Sequence, residues 1–195
     1  MQVLIIADIH GSLDSLKRIL KNNEHVDLVL VCGDITHYNS PHITTMLEPF
    51  DLEKTLFVPG NCDTIEVMDV LNEHGVNIHG KTVDINGIRI RGIGGSNPTP
   101  FDTPLEYSEE ELKEILFKDK EVDVLVSHAP PKGILDKVGV SHVGSVAIRE
   151  YIEEVQPRFV FCGHIHEQEG EETLNNSRII NPGPVTQGKF RIVEL

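Results

Sequence analysis

Five short apolar runs of this chain each end in side chains able to hold a metal ion: Asp8-Ile9-His10, Gly33-Asp34, Gly60-Asn61-Cys62-Asp63, Ser127-His128 and Gly163-His164-Ile165-His166. Carboxylates, imidazoles and one amide, with no cluster of thiolates, form an oxygen and nitrogen donor set that suits Mn²⁺, Fe or Zn²⁺ better than a structural zinc. Asp8 and His10 stand two residues apart on an extended segment, so both side chains point the same way and can chelate one ion. His164 and His166 share that spacing. A single Asp or His behind a strand is more often a turn former or a helix cap. Five such ends in one chain carry more weight, because strand ends can converge.

The elements that must position these groups are legible as alternating β-branched runs and amphipathic stretches, the pattern of an α/β fold. Residues 3–7, 28–32, 55–58, 122–126 and 159–162 are nearly continuous apolar runs, expected as strands buried on both faces. Helices fit between them. Ser12 is expected to cap one reaching about Asn22, Ser40-Pro41 has cap and first-turn chemistry, and Thr64 starts a third that stops at Gly75. Ser108 with Glu111 forms a capping box, and Ser145 caps a helix to about Val155, before Pro157. Asn86-Gly87 turns a hairpin within residues 82–92; a second hairpin turns at Asn175-Asn176, and residues 186–195 form a closing strand. In such sheets ligands bind beyond the carboxyl ends of the strands, the edge where all five polar groups fall.

Residues 92–107, rich in Gly, Pro, Ser, Asn and Thr, are too long for a routine connection and read as a functional loop. The chain reads as one domain over residues 1–195. No run approaches the roughly 20 apolar residues that span a bilayer, so a cytoplasmic protein without membrane partners is expected. The three cysteines make no even framework and read as thiols, Cys32 and Cys162 in the core. A net charge of −14 with no basic cluster disfavours nucleic acid and leaves a small phosphorylated substrate as the easier partner. Homo-oligomers are compatible with all of this.

Taken in order, Asp8-x-His10, Gly33-Asp34, Gly60-Asn61-x-Asp63, the isolated His128 and Gly163-His164-x-His166 resemble the signature of the calcineurin-like metallophosphoesterase superfamily. The segment Gly92-Ile-Gly-Gly-Ser-Asn-Pro with Pro100-Phe101 is similar to its archaeal and bacterial branch related to cyclic-AMP phosphodiesterases. The resemblance implies two stacked mixed β-sheets flanked by helices, and two divalent metal ions, manganese first, with iron, nickel or zinc as alternatives. It implies that Asp8, His10 and His166 hold one ion, Asn61, His128 and His164 the other, and that Asp34 bridges them at a separation of roughly 3.5–4 Å. Hydrolysis of phosphate esters by a hydroxide shared between the metals follows, with Asn61, Asp34 and His128 central to it. Asn61 would ligate through its carbonyl oxygen, leaving its NH₂ to donate to the substrate or to a supporting protein group.

Cys62 departs from many members of that superfamily, which place a histidine there to protonate the leaving group; the thiol is either a proton donor in its stead or merely packed. Good leaving groups should then be preferred, so phosphodiesters are favoured. Asp63 reads as a cap or supporting partner beside the substrate. His142, before the helix capped by Ser145, is either the other candidate acid, at a helix N-terminus suited to a phosphate oxygen, or an exposed loop histidine. Gly95, Ser96 and Asn97 are either a simple turn or amides that approach the ligand. Two rival readings stay open: a non-catalytic metal-binding scaffold of the same fold, and a metal-dependent nuclease.

Overall fold

The computed structural model describes all 195 residues. Ten of the twelve strands form two stacked sheets, and five helices cover their outer faces. In the first sheet β1 (Gln2–Ile6) lies between β12 (Arg191–Glu194), antiparallel, and β2 (Leu28–Cys32), parallel, with β3 (Thr55–Val58) outside β2. The second sheet runs β10 (Gly170–Leu174), β11 (Ser177–Asn181), β9 (Phe159–Phe161), β6 (Val124–Ser127), β5 (Ile88–Ile93) and β4 (Thr82–Ile85). Its four inner strands are parallel and both outer pairs are hairpins. A small ribbon, β7 (Lys137–Val138) with β8 (Ser141–His142), stands apart.

Alternation along β1 explains the layering. Val3 and Ile5 face the second sheet with Leu28, Leu30, Val126 and Phe161, whereas Leu4 and Ile6 face outward. The outward face is covered by α1 (Leu13–Asn22), α2 (Ile43–Leu47) and α3 (Ile65–Glu73) through Leu16, Ile19, Met46, Val67 and Leu71. On the other side α4 (Glu109–Leu116) and α5 (Val146–Val155) cover Leu125, Val160 and Ile179 with Leu112, Leu116, Ile148, Tyr151 and Ile152. Central strands are therefore buried on both faces, which is why they read as continuous apolar runs. No helix is long and apolar enough to cross a membrane.

Several local expectations hold. Ser108 and Glu111 form the capping box, and the Ser145 hydroxyl accepts from the Ile148 amide. Asn86 and Gly87 both have positive φ, 55° and 83°, as a two-residue primed turn requires. Others need correction. Pro41 does not open α2, which begins at Ile43 after His42. Neither Ser12 nor Thr64 makes a side-chain capping bond. Residues 185–187 form a turn of 3₁₀ helix closed by Gly188 at φ 74°, so the final strand begins only at Arg191. Gly92 belongs to β5, which delays the long loop.

Candidate metal centre

Parallel strands β1, β2, β6 and β9 end at the same edge, and the loops behind them fold over the gap between the sheets. The Gly33 carbonyl accepts from the Asp8 amide and the Asp34 carbonyl from the His10 amide, which lock the first two polar loops together. Four of the residues brought here, Asp8, His10, Asp34 and His164, have left-handed backbones, with φ of 54°, 44°, 52° and 68°, so the segment through Asp8 and His10 is not extended as expected and the loop behind β1, not strand alternation, brings the two together. Non-glycine residues adopt this region sparingly, and such strain gathers where structure serves a site.

The side chains meet. Asp34 Oδ2 lies 3.4 Å from His10 Nε2 and 3.6 Å from His128 Nε2, between the two. His10 Nε2 stands 3.2 Å from His166 Nε2, which is 3.6 Å from Asp8 Oδ1. His128 Nε2 is 2.8 Å from Asn61 Oδ1, and the His164 ring packs edge-on against His128 at 5.0 Å. The ligand-capable atoms of Asp8, His10 and His166 lie within 4.8 Å of one another, as do those of Asp8, Asp34 and His128. All seven residues expected to hold metal are thus drawn into one cluster.

The donor set fits cations on its own chemistry. His128 Nδ1 sits 2.8 Å from the Cys32 carbonyl, which can only accept, so that nitrogen carries the proton. Nε2 of a neutral ring is then a lone pair aimed at another lone pair, the Asn61 carbonyl oxygen. Asp8 and Asp34 are buried, and neither forms an ion pair with any Lys or Arg. Burial holds His10 down at about 4 and His164 at about 3, so both rings are neutral ligands near pH 7. Burial and the neighbouring Asp8 push the Asp34 carboxyl up. Converging acceptors without a cationic side chain are what a divalent ion would satisfy.

The flanking residues separate into those that face the cleft and those that do not. Asp63 is fully buried and accepts from the amides of Ile35, Thr36 and Gly60 and the Thr36 hydroxyl, so it braces the two loops and has no bond left for a substrate. Gly95 and Ser96 donate their amides to the carbonyls of Pro59 and Leu105, and neither amide is free to approach a ligand. Asn97 bonds the Val143 carbonyl and lines a cavity beside His164 and His166. The N-terminus of α5 is filled by Glu109, whose carboxylate accepts from Val146 and Ala147 amides and the Ser145 hydroxyl; no phosphate oxygen can sit there. His142 lies instead in β8 and reaches the same cavity as Asn97. Cys62 is half-buried, its amide donating to Asp34 and its sulfur near His10 and His37.

One brace was absent from the sequence reading. The Asn61 NH₂ donates to Thr103 Oγ1 at 3.0 Å and leans towards the Cys62 sulfur, so of its two expected partners it takes a supporting protein group and not the substrate. Thr103 in turn donates to Glu106, which also takes both Thr99 donors and the Thr103 amide. Those donors outweigh burial and hold Glu106 at about 2. The chain of bonds turns the Asn61 carbonyl towards His128. Glu106→Gln should leave the fold intact but weaken divalent-metal affinity by roughly 10–100-fold, the usual effect of losing a group that orients a ligand. Calorimetric titration of metal-stripped protein with Mn²⁺ checks this; an unchanged affinity would remove Glu106 from the site.

The sequence profile of calcineurin-like phosphoesterases matches residues 1–168. An uncharacterized protein of Methanocaldococcus jannaschii is 43% identical over 195 residues, spanning 94% of this chain and 88% of the relative. One of Haemophilus influenzae is 26% identical, spanning 93% and 90%. Among solved structures, a Thermus thermophilus protein superposes with a TM-score of 0.71 at 18% identity, over 99% of this chain and 98% of that one. A dimetal phosphatase from Danio rerio gives 0.66 at 14%, over 100% and 92%. Likeness at such identity establishes the fold.

Proposed function

Since the chain belongs to the calcineurin-like phosphoesterase family, we propose that it hydrolyses phosphodiesters with two divalent cations held at this cluster. Asp8, His10 and His166 would hold one and Asn61, His128 and His164 the other, with Asp34 shared. The observation that carries the reading is the convergence of buried carboxylates, imidazoles and an amide oxygen with no Lys or Arg among them. Bound there, such cations supply Lewis acidity that makes water nucleophilic near neutral pH and offsets charge on the phosphoryl oxygens.

The protein's own part is positioning. Cys32 fixes the His128 tautomer through its carbonyl, Thr103 aims Asn61, and the Cys62 amide holds Asp34. Pre-set donors of this kind need little reorganisation when substrate arrives. A cavity of about 570 Å³ adjoins His164 and His166, giving room for the second organic arm of a diester. Lys132 is the only Lys or Arg on its wall, which suits the single charge of a diester better than a monoester dianion. Three free thiols suit a reducing compartment, and we place the protein in the cytoplasm on that ground.

The test is turnover of an aryl phosphodiester and an aryl phosphomonoester by metal-stripped protein titrated with Mn²⁺, beside His128→Ala. Manganese-dependent cleavage, faster on the diester and reduced at least 100-fold in the variant, is the expected result. Failure with Mn²⁺, Fe²⁺, Ni²⁺ and Zn²⁺ alike would return the fold to the scaffold reading. Steeply salt-dependent binding of single-stranded DNA would favour the nuclease.

A further inference from the structure

The cavity beside the centre is lined both by His164 and His166 and by Phe101, Val138, Val143 and His142. Phe101 is 78% exposed and Val138 52%, so the apolar wall has nothing packed on it. His142, in the ribbon, lines the same cavity, and its ring is tied to Asp136. Asp136, only 1% exposed, accepts from His142 Nδ1 with one oxygen and from the amides of Gly133 (2.8 Å) and Gly144 (3.0 Å) with the other. A buried carboxylate on Nδ1 fixes the ring's orientation and leaves Nε2 as its free nitrogen.

Resting on the phosphodiesterase reading above, we propose that His142, braced by Asp136, is the proton donor to the leaving oxygen, and that the apolar cavity holds the leaving group. Asp136 stays ionised for this role: burial acts upward, but His142 and the two glycine amides outweigh it and hold the carboxyl below its usual range. Cys62, the other candidate donor, does not line this cavity. An aromatic or nucleoside leaving group lying on Phe101 and Val138 would place its ester oxygen between His164 and His142. As water oxygen bonds to phosphorus, the P–O bond to the leaving group breaks and its electron pair stays on that oxygen. His142 Nε2 gives it a proton, so an alcohol departs; water's own proton goes to solvent, from which the imidazole is reprotonated.

General acids matter in proportion to how poor the leaving group is, and contribute typically 10²–10⁴-fold where it is an alkoxide. The experiment compares Mn²⁺-loaded protein on thymidylyl-thymidine, an alkoxide leaver, and on bis-p-nitrophenyl phosphate, an aryl leaver. In His142→Ala the ratio of alkoxide to aryl rates should fall by about 30-fold or more, and Asp136→Asn should lower it by less. In protein without metal, ¹⁵N NMR should find the neutral His142 ring protonated at Nδ1, a preference lost in Asp136→Asn. An unchanged ratio, or equal loss on both esters, overturns the proposal while leaving the phosphodiesterase reading in place. A neutral ring protonated only at Nε2 overturns the brace. Absence of turnover on both esters by the unmodified protein would overturn the proposal and the reading together.

Discussion

Asp34→Asn is expected to lower metal-dependent turnover on the order of 10³-fold, about 4 kcal/mol of barrier, while the metal-free variant melts above the unmodified protein. Both effects come from one carboxylate. Asp34 is 2% exposed, and its Oδ2 lies between His10 and His128 at 3.4 and 3.6 Å. With two cations bound as proposed, a shared anion there would offset their repulsion, and an amide would not. Without metal the same charge faces Asp8 in a buried site with no Lys or Arg, and its raised pKa records that penalty. An Asn side chain removes the charge, keeps the acceptor for the Cys62 amide, and offers N–H groups to the two imidazoles. Asn also tolerates the left-handed backbone at this position, φ 52°, so no strain is added.

Differential scanning calorimetry separates the two states. Relief of about 1 kcal/mol raises Tm by roughly 2–4 °C in a chain of this size. Mn²⁺ at about 100 times its Kd should stabilise the unmodified protein by about 2.7 kcal/mol and the variant by far less. A metal-free variant that melts below the unmodified protein would show that Asp34 has a structural role stronger than its charge penalty, and would sink this account.

Much of the site could be read from the chain because strand ends are a topological address. β2 and β3 begin and end where their apolar runs do, and polar residues just behind parallel strands share an edge whatever the loops do. Helices with strong end chemistry, such as the Ser108–Glu111 box and Ser145, were likewise legible. What stayed hidden depends on contacts between segments far apart in sequence. Glu109 reaches the N-terminus of α5 across 36 to 38 residues, and nothing local to Ser145 announces that the helix end is already filled. The β7–β8 ribbon has two residues per strand, too few for any periodicity, so the sequence around His142 announces only the helix that follows it. The Glu106 brace on Asn61 lies inside the loop suspected of function, but its Thr-x-x-Glu spacing resembles an ordinary turn. Residues 94–97 leave a simple turn and a ligand-cradling loop equally open in the sequence, and the amides of Gly94, Gly95 and Ser96, taken by His79, Pro59 and Leu105, decide for the turn.

The glycines of the motif give the sharpest contrast to Asp34. Gly60→Ala is expected to destabilise the protein by about 3 kcal/mol and to abolish high-affinity metal binding, with Tm falling both with and without Mn²⁺. Gly60 lies outside the left-handed region, so its backbone does not demand glycine; its surroundings do. An added Cβ would collide with the Asp34 amide nitrogen and Oδ1, and Asp34 Cγ would lie 2.6 Å away. None of these atoms belongs to a flexible tip, since the Asp34 amide is main chain and Oδ1 is held by Cys62. The loop carrying Asn61 must therefore retreat from the loop carrying Asp34, and the Gly60 amide loses Asp63, which ties the two together. Gly75→Ala is the control: its φ of 71° strains any side chain, but nothing lies within 4 Å of the new Cβ. That variant should cost about 1 kcal/mol and bind Mn²⁺ as before. If Gly60→Ala instead bound metal normally, the two loops would be able to separate without moving Asp34, and close packing of Gly60 against it could not be what sets the distance between Asn61 and the shared carboxylate.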